Sequence, residues 1–360
     1  MRPLALAGSL LVVAALLFGG VAGATAGALT VLDRPSQPSD KAVGAAMLAV
    51  ARAGSRLVAV GERGIVLLSD DEGGRWRQVE TPVRVSLTAV QFVGKQIGWA
   101  VGHLGVILHT ADGGLTWTKQ LDGRQVTRMV LADAQRRAEA AQDPQEKEDI
   151  LFIGQRFADD GPDKPFLNLY FLNERSGYVF GAFNMILRTE DGGATWTPWG
   201  GRVENPMELH LYGMCARGDR LWLAGEQGLL LRSDDNGQHF TAVPSPYEGS
   251  YFGIVADAGG DLVLYGLRGN IYRSSDGGES WQKVDTGIVV SFSAGVPLAD
   301  GGLAVVSQAG DILTSQNGDR RLQRDPRSVP MPATGLVQIG DAGFVMASLR
   351  GMHRIPAQDR

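Results

Sequence analysis

Short stretches in which apolar and polar residues alternate recur along this chain. "RLVAVGERGIVLLS", "GWAVGHLGVILHT", "GYVFGAFNMILRT", "RLWLAGEQGLLLRS" and "DLVLYGLRGNIYRS" each read as two strands joined by a tight turn, because a period of two places one side of a strand in a core. A further apolar run precedes each pair, such as "LTAVQFV" (Leu87–Val93) or "YFGIVA" (Tyr251–Ala256). After each pair comes an eight-residue box and then a fourth short strand, as in "WQKV" (Trp281–Val284).

The boxes align without gaps: Ser69–Trp76, Thr110–Trp117, Thr189–Trp196, Ser233–Phe240 and Ser274–Trp281 all read Ser/Thr-x-Asp-x-Gly-x-x-aromatic. A sixth, Thr314–Arg321, has Gln316 in place of Asp and Arg321 in place of the aromatic. Box starts are 41, 79, 44, 41 and 40 residues apart. Four strands per unit of about 41 residues is the blade size of a β-propeller. The long interval is one unit plus an insertion.

A seventh unit, Gly335–Ile355, supplies three strands and no box. These patterns predict an all-β, seven-bladed β-propeller over residues 27–360. "ALTVLD" (Ala28–Asp33) is expected to pair as the missing strand of the last blade and so close the ring. In each box, Asp71, Asp112, Asp191, Asp235 and Asp276 are expected to staple the turn by accepting backbone N–H bonds. Trp76, Trp117, Trp196 and Trp281 are expected to pack into the blade edge.

Loops of an up-and-down blade leave from two faces. The boxes join strands three and four and ring one face; the turns between strands two and three ring the other. The turns carry Glu62-Arg63, His103-Leu104, Phe183-Asn184, Glu226-Gln227, Leu267-Arg268, Gln308-Ala309 and Leu349-Arg350. Arg63, Arg268 and Arg350 share one turn position, and with Glu62, His103 and Glu226 they are the candidate partner contacts. The insertion, about residues 123–160, follows strand four of blade two and so rises from the same face. It is rich in helix formers, with Asp143, Pro144 and Glu146 patterned as a capping box for a second helix. A helical hairpin is expected, with Arg128, Arg136 and Arg137 as a second set of partner contacts.

Composition sharpens this picture in a few places. The 49 glycines in 360 residues fit a fold punctuated by many turns. The chain carries a net charge of −5, against the basic surface a general nucleic-acid binder needs. Apolar Leu4 to Phe18 followed by Ala24-Thr25-Ala26 has the layout of a secretory signal over residues 1–26, with an uncleaved membrane anchor as the other reading. A periplasmic location, or a lumenal one in a phototroph, is expected. Cys215 is the one cysteine and is expected to be buried. The five histidines show no zinc spacing, and no P-loop or G-x-S-x-G pattern occurs; no cofactor or metal is expected.

Boxes of this kind also occur in bacterial sialidase propellers. Those enzymes need an arginine cluster, a tyrosine–glutamate nucleophile pair and an aspartate acid/base. Here the one Arg-Ile-Pro run, Arg354–Pro356, is at the wrong end of the chain, and Tyr251 and Tyr265 qualify by residue type alone. A glycoside hydrolase, or a propeller that binds carbohydrate or peptide at the ring centre, stays open as an alternative.

The boxes, the first-blade string "AVGERGIVLLSDDEGGRW", "GWAVG" (Gly98–Gly102), "GYVFG" (Gly177–Gly181) and the helical insertion together resemble the photosystem II stability/assembly factor family over nearly the whole chain. That resemblance implies a non-enzymatic factor that binds a membrane-inserted reaction-centre precursor through an arginine-rich surface. The acidic balance, the degenerate sixth box and the lack of a plant-type transit peptide imply a bacterial periplasmic member. Its partner would be an integral membrane protein or envelope complex (a photosystem II precursor in an oxygenic phototroph), and the protein itself a monomer.

Overall fold

The computed structural model describes residues 30–316 and 318–357; the signal expectation for residues 1–26 lies outside them. Seven antiparallel sheets follow one another along the chain, six of four strands and the last of three. The inner strands are Met47–Ala53, Leu87–Val93, Phe166–Phe171, Leu211–Arg217, Tyr251–Ala256, Phe292–Pro297 and Ala333–Ile339. Every middle strand is buried along nearly its whole length, because each sheet is covered on both sides by its neighbours. The apolar core therefore runs between the blades. Leu57, Val337, Ile339 and Val345, for example, fill the space between blades seven and one.

Each inner strand carries one bulge at the same place. The bulged residues Leu48, Thr88, Leu167, Tyr212, Phe252, Ser293 and Thr334 are half-buried, as befits positions around the axis of the ring. Beside each bulge, the first residue of the strand two–three turn donates its N–H to the carbonyl just before the inner strand. These bonds run from Glu62 to Ala46, His103 to Ser86, Ala182 to Pro165, Glu226 to His210, Leu267 to Ser250, Gln308 to Ser291 and Leu349 to Pro332, at 2.8–3.2 Å. The approach is close: a Cβ on Gly102 would lie 2.2 Å from the Ser86 oxygen.

The five intact boxes fold alike. The Ser or Thr hydroxyl accepts the N–H of the fifth residue at 2.8–3.0 Å. It donates in turn to the Asp Oδ1, which accepts the N–H of the seventh residue at 2.8–2.9 Å. Two successive residues take positive φ, glycine in most blades but Glu72 and Asn236 in two. The Thr195 hydroxyl and amide hold the Asp191 carboxyl below its ordinary 3.8, and the Arg75 amide does the same for Asp71.

Because these folded-state values lie below the unfolded one, the box contribution is complete above the ordinary carboxylate value. It is lost as pH falls through the folded values. Asp191→Ala is expected to cost about 1–2 kcal/mol at neutral pH, and its Tm should fall less steeply than the wild type's below about pH 4. A differential scanning titration from pH 7 to pH 3 checks both; parallel curves for the two proteins would contradict the staple.

One expectation is corrected for the described part of its segment, Thr30–Asp33; residues 28 and 29 lie outside the described residues. Thr30–Asp33 form a short 3-10 turn, and the last sheet has three strands, Ala333–Ile339, Gly343–Ser348 and Gly351–Ile355. Leu32 is fully buried among residues of blades one and two, including Val83, Leu87 and Trp117. The Leu32 carbonyl accepts Lys119 Nζ at 2.7 Å, and Asp33 takes two bonds from the Arg124 guanidinium, each 2.8 Å. These seats, followed by Pro35 and Pro38 without N–H groups, hold the segment away from blade seven. Other contacts join the first and last blades: Thr334 Oγ1 to the Met47 carbonyl at 2.7 Å, Arg52 Nη1 to the Gln338 carbonyl at 2.6 Å, and Arg354 Nε to the Glu72 carbonyl at 3.0 Å.

The insertion is two helices, α1 (Gly123–Ala140) and α2 (Pro144–Asp159). The reciprocal capping box forms at α1, between Asp122 and Gln125. At α2, Asp143 accepts the Gln145 N–H at 2.8 Å with Pro144 in the first turn. Val126 of α1 is buried in the core with Trp99, Phe166 and Leu169, so the hairpin is rooted in blades two and three.

Candidate partner-binding face

The strand two–three turns present side chains from a left-handed backbone. Arg63, Leu104, Gln227 and Arg268 have φ of 53°, 56°, 51° and 57°, a conformation that costs a non-glycine residue roughly 1–2 kcal/mol. The Arg63, Arg268 and Arg350 guanidinium groups are exposed and make no hydrogen bond or ion pair among the described residues. Free cations on a turn are available to an outside anion.

Their placement is uneven. Arg63 and Arg350 belong to neighbouring blades and flank the Ala42–Gly44 turn; a Cβ on Gly351 would lie 2.3 Å from the Val43 carbonyl. Arg63 shares an open cavity of about 590 Å³ with Lys41, Arg84 and Glu62. Arg268 stands two blades away from Arg350, in blade five. Lys41 and Arg84 lie in connections without strand or helix periodicity, and sequence pattern gave no reason to single them out.

The acidic candidates face inward. Glu62 Oε1 accepts the Ala46 N–H at 3.1 Å, and Glu226 Oε2 accepts the equivalent His210 N–H at 3.2 Å. Both brace the turn against its own inner strand. His103 is exposed on the blade-two turn. Among the insertion arginines, Arg128 is exposed and without a side-chain partner among the described residues, whereas Arg136 bonds Asp133 at 2.6 Å. Arg137 lies 3.8 Å from Asp133 and packs over Gly201.

The same face carries apolar groups that sequence pattern did not mark. Phe152 of α2 is 65% exposed, Met207 72% and Val289 82%, with Phe183, Val290 and Leu349 also exposed. Between the helices and blade three, Val130, Ile153, Phe157, Phe183 and Met185 line a groove of about 360 Å³. Arg156 of α2 pairs with Glu208 beside it. From the groove an aromatic file leads toward the ring axis: Phe183 to His210 at 4.8 Å, His210 to Tyr212 at 6.3 Å, and Tyr212 to Phe252 at 5.6 Å between ring centroids.

Of the box tryptophans, Trp117 and Trp196 are buried and Trp76 and Trp281 half-buried. Cys215 is buried, which pushes its thiol up. Tyr251 and Tyr265 are buried as well, and burial raises both hydroxyls to about 12. Among the described residues no group of His, Cys, Asp and Glu has the arrangement of a metal site, and no helix is long and apolar enough to cross a membrane.

Fold and face together define a seven-bladed Asp-box propeller with a helical hairpin standing on its turn face. A profile of the family described as photosynthesis system II assembly factor YCF48 matches residues 40–135 and 161–331, skipping most of the hairpin. The chain belongs to that family. A curated relative, the photosystem II assembly lipoprotein Ycf48 of Synechococcus sp. (strain CC9902), is 33% identical over 75 residues, which is 21% of this chain and 22% of the relative's length. Among solved structures, YCF48 bound to D1 peptide superposes with a TM-score of 0.62 at 17% identity, covering 90% of this chain and 97% of the other. YCF48 from Cyanidioschyzon merolae gives 0.59 at 14%, covering 89% and 97%. The WD40 propeller of Doa1 gives 0.61 at 11%, covering 91% and 96%. At such identities these structures speak to the fold.

Proposed function

We propose that this protein is a non-enzymatic assembly factor or scaffold that docks its turn face on an integral membrane protein or envelope complex, on the periplasmic or lumenal side. The observation that carries the reading is the set of unpaired cations on the turn face, Arg63 and Lys41 in one recess, with Arg350 in the neighbouring blade and Arg268 further along the ring. They stand on an otherwise acidic chain. Carboxylates on an exposed loop or terminus of the client meet these cations, and the hairpin with its exposed Phe152 grips a neighbouring apolar surface. The family supports this reading, as does the relative solved with a D1 peptide. In an oxygenic phototroph the client is a photosystem II reaction-centre precursor; elsewhere it is another membrane protein with an acidic external segment. The leader over residues 1–26 exports the chain, which acts as a monomer.

Contacts of this kind weaken with salt, because the Debye length shortens from about 10 Å at 0.1 M to about 3 Å at 1 M. Capture of the client from detergent-solubilised membranes by tagged protein is expected to fall steeply between 0.1 and 0.5 M NaCl. Capture that is indifferent to salt would speak for an apolar interface and against the arginines.

A further inference from the structure

Blade six departs from the box pattern, and the departure opens a second site. In the intact boxes, the aromatic residue leaves its own blade and sits on the preceding one. Trp76 packs with Val337 and Val345 of blade seven, and Trp117 with Val58 and Leu68 of blade one. Trp196 donates to Gln120 of blade two, Phe240 meets Tyr178 of blade three edge-on at 6.0 Å, and Trp281 packs with Trp222 and Val243 of blade four. By that rule the eighth residue of the sixth box should cover blade five. That residue is Arg321, and its side chain is 81% exposed.

The uncovered seat is a polar cavity of about 510 Å³ between the outer strands of blades five and six. Arg273, Lys283, Arg320 and Arg321 line it, with Asp261 and Asp285 as its carboxylates. Asp261 is occupied: it bonds Arg273 Nε at 2.8 Å and lies 3.3 Å from Arg320 Nε. Asp285 accepts the Gly287 N–H at 3.1 Å. One donor atom and one ammonium are left over. Arg273, buried to 7% exposure, pairs through Nε with Asp261 and through Nη2 with Asp257 but has no partner for Nη1. Arg321 pairs with Asp319, and the Lys283 ammonium has no partner among the described residues. A buried N–H without an acceptor is costly even where the guanidinium charge is paired, and a carboxylate oxygen from outside satisfies it together with the Lys283 ammonium.

We infer that this cavity is a carboxylate-binding site that receives an acidic peptide segment of a partner in the place the missing box aromatic would have filled. The site lies on the outer rim, away from the turn face, and gives the partner a second and independent point of attachment. An aspartate or glutamate side chain, or a terminal carboxylate, bridges Lys283 and Arg273, with Arg320 and Arg321 at the rim.

The test is calorimetric titration of the full chain with acetylated tetraglutamate, in the Arg63→Glu/Arg268→Glu/Arg350→Glu background so that the turn face does not compete. One-to-one binding is expected there. Lys283→Gln, which leaves the packing intact, should weaken it at least about tenfold, the worth of one charge-assisted hydrogen bond. Arg321→Trp should refill the seat, abolish binding and raise Tm. Inorganic phosphate at the same concentration should not displace the peptide. Absence of binding in this background, equal affinity in both variants, or equally tight phosphate binding would each overturn the assignment. None of these results bears on the turn-face arginines, which are absent from every protein in the comparison.

Discussion

Simultaneous Arg63→Glu, Arg268→Glu and Arg350→Glu substitution is expected to abolish client capture while leaving the propeller folded. The three side chains hold nothing together internally, so their removal breaks no contact. Arg63 and Arg268 sit at positive φ, but a glutamate already occupies such a conformation at Glu72, where φ is 56°. On the binding side each substitution changes the local charge by two, replacing attraction to a client carboxylate with repulsion. Losing a desolvated charge contact costs about 2–5 kcal/mol, so even partial engagement of the three implies a loss of affinity of at least about a hundredfold. Circular dichroism and Tm unchanged with capture gone is the expected outcome. Capture retained at wild-type level would remove the arginines from the interface.

Trp99→Ala should be among the most damaging single changes to stability. Trp99 is fully buried in the second strand of blade two. It stacks on Phe171 of blade three with ring centroids 3.5 Å apart and planes 8° from parallel, and it donates its indole N–H to the Gly192 carbonyl at 3.2 Å. Truncating a buried tryptophan costs about 3–5 kcal/mol. The cavity would open beside Val126, at the root of the hairpin. A drop in Tm on the order of 10 °C is expected, with faster hydrogen exchange in α1 than in blades five and six. A drop of a degree or two would mean that blades two and three are not joined through this contact.

Much of this architecture was legible because each blade repeats a local solution. Hydroxyl, carboxylate and glycine stand at fixed offsets because one backbone turn needs them, and a repeat near 41 residues follows from four short strands. The hairpin announced itself by the lengthened box interval, its richness in helix formers and the Asp143-Pro144-Glu146 pattern. Ring closure was not legible. "ALTVLD" alternates as a strand does, and what decided its fate was the seat for Leu32 and the cations Lys119 and Arg124, which lie far along the chain. The turn arginines could be read from position, whereas Lys41 and Arg84 come from irregular connections that only the fold brings beside Arg63. Glu62 and Glu226 look like surface charges in sequence; only the geometry reveals the backbone amides they hold. The Arg321 departure was visible, but its consequence depended on knowing that a box aromatic belongs to the neighbouring blade.

The central claim, that the turn face and its hairpin receive a membrane protein, is tested most directly by photo-crosslinking in the native cell. Crosslinkers would stand at exposed Leu349 and Phe152 on that face, and at exposed Leu115 and Ala194 on the box face. The same integral membrane protein trapped from Leu349 and Phe152, and not from Leu115 or Ala194, is the predicted result. Trapping from the box-face positions alone would contradict it.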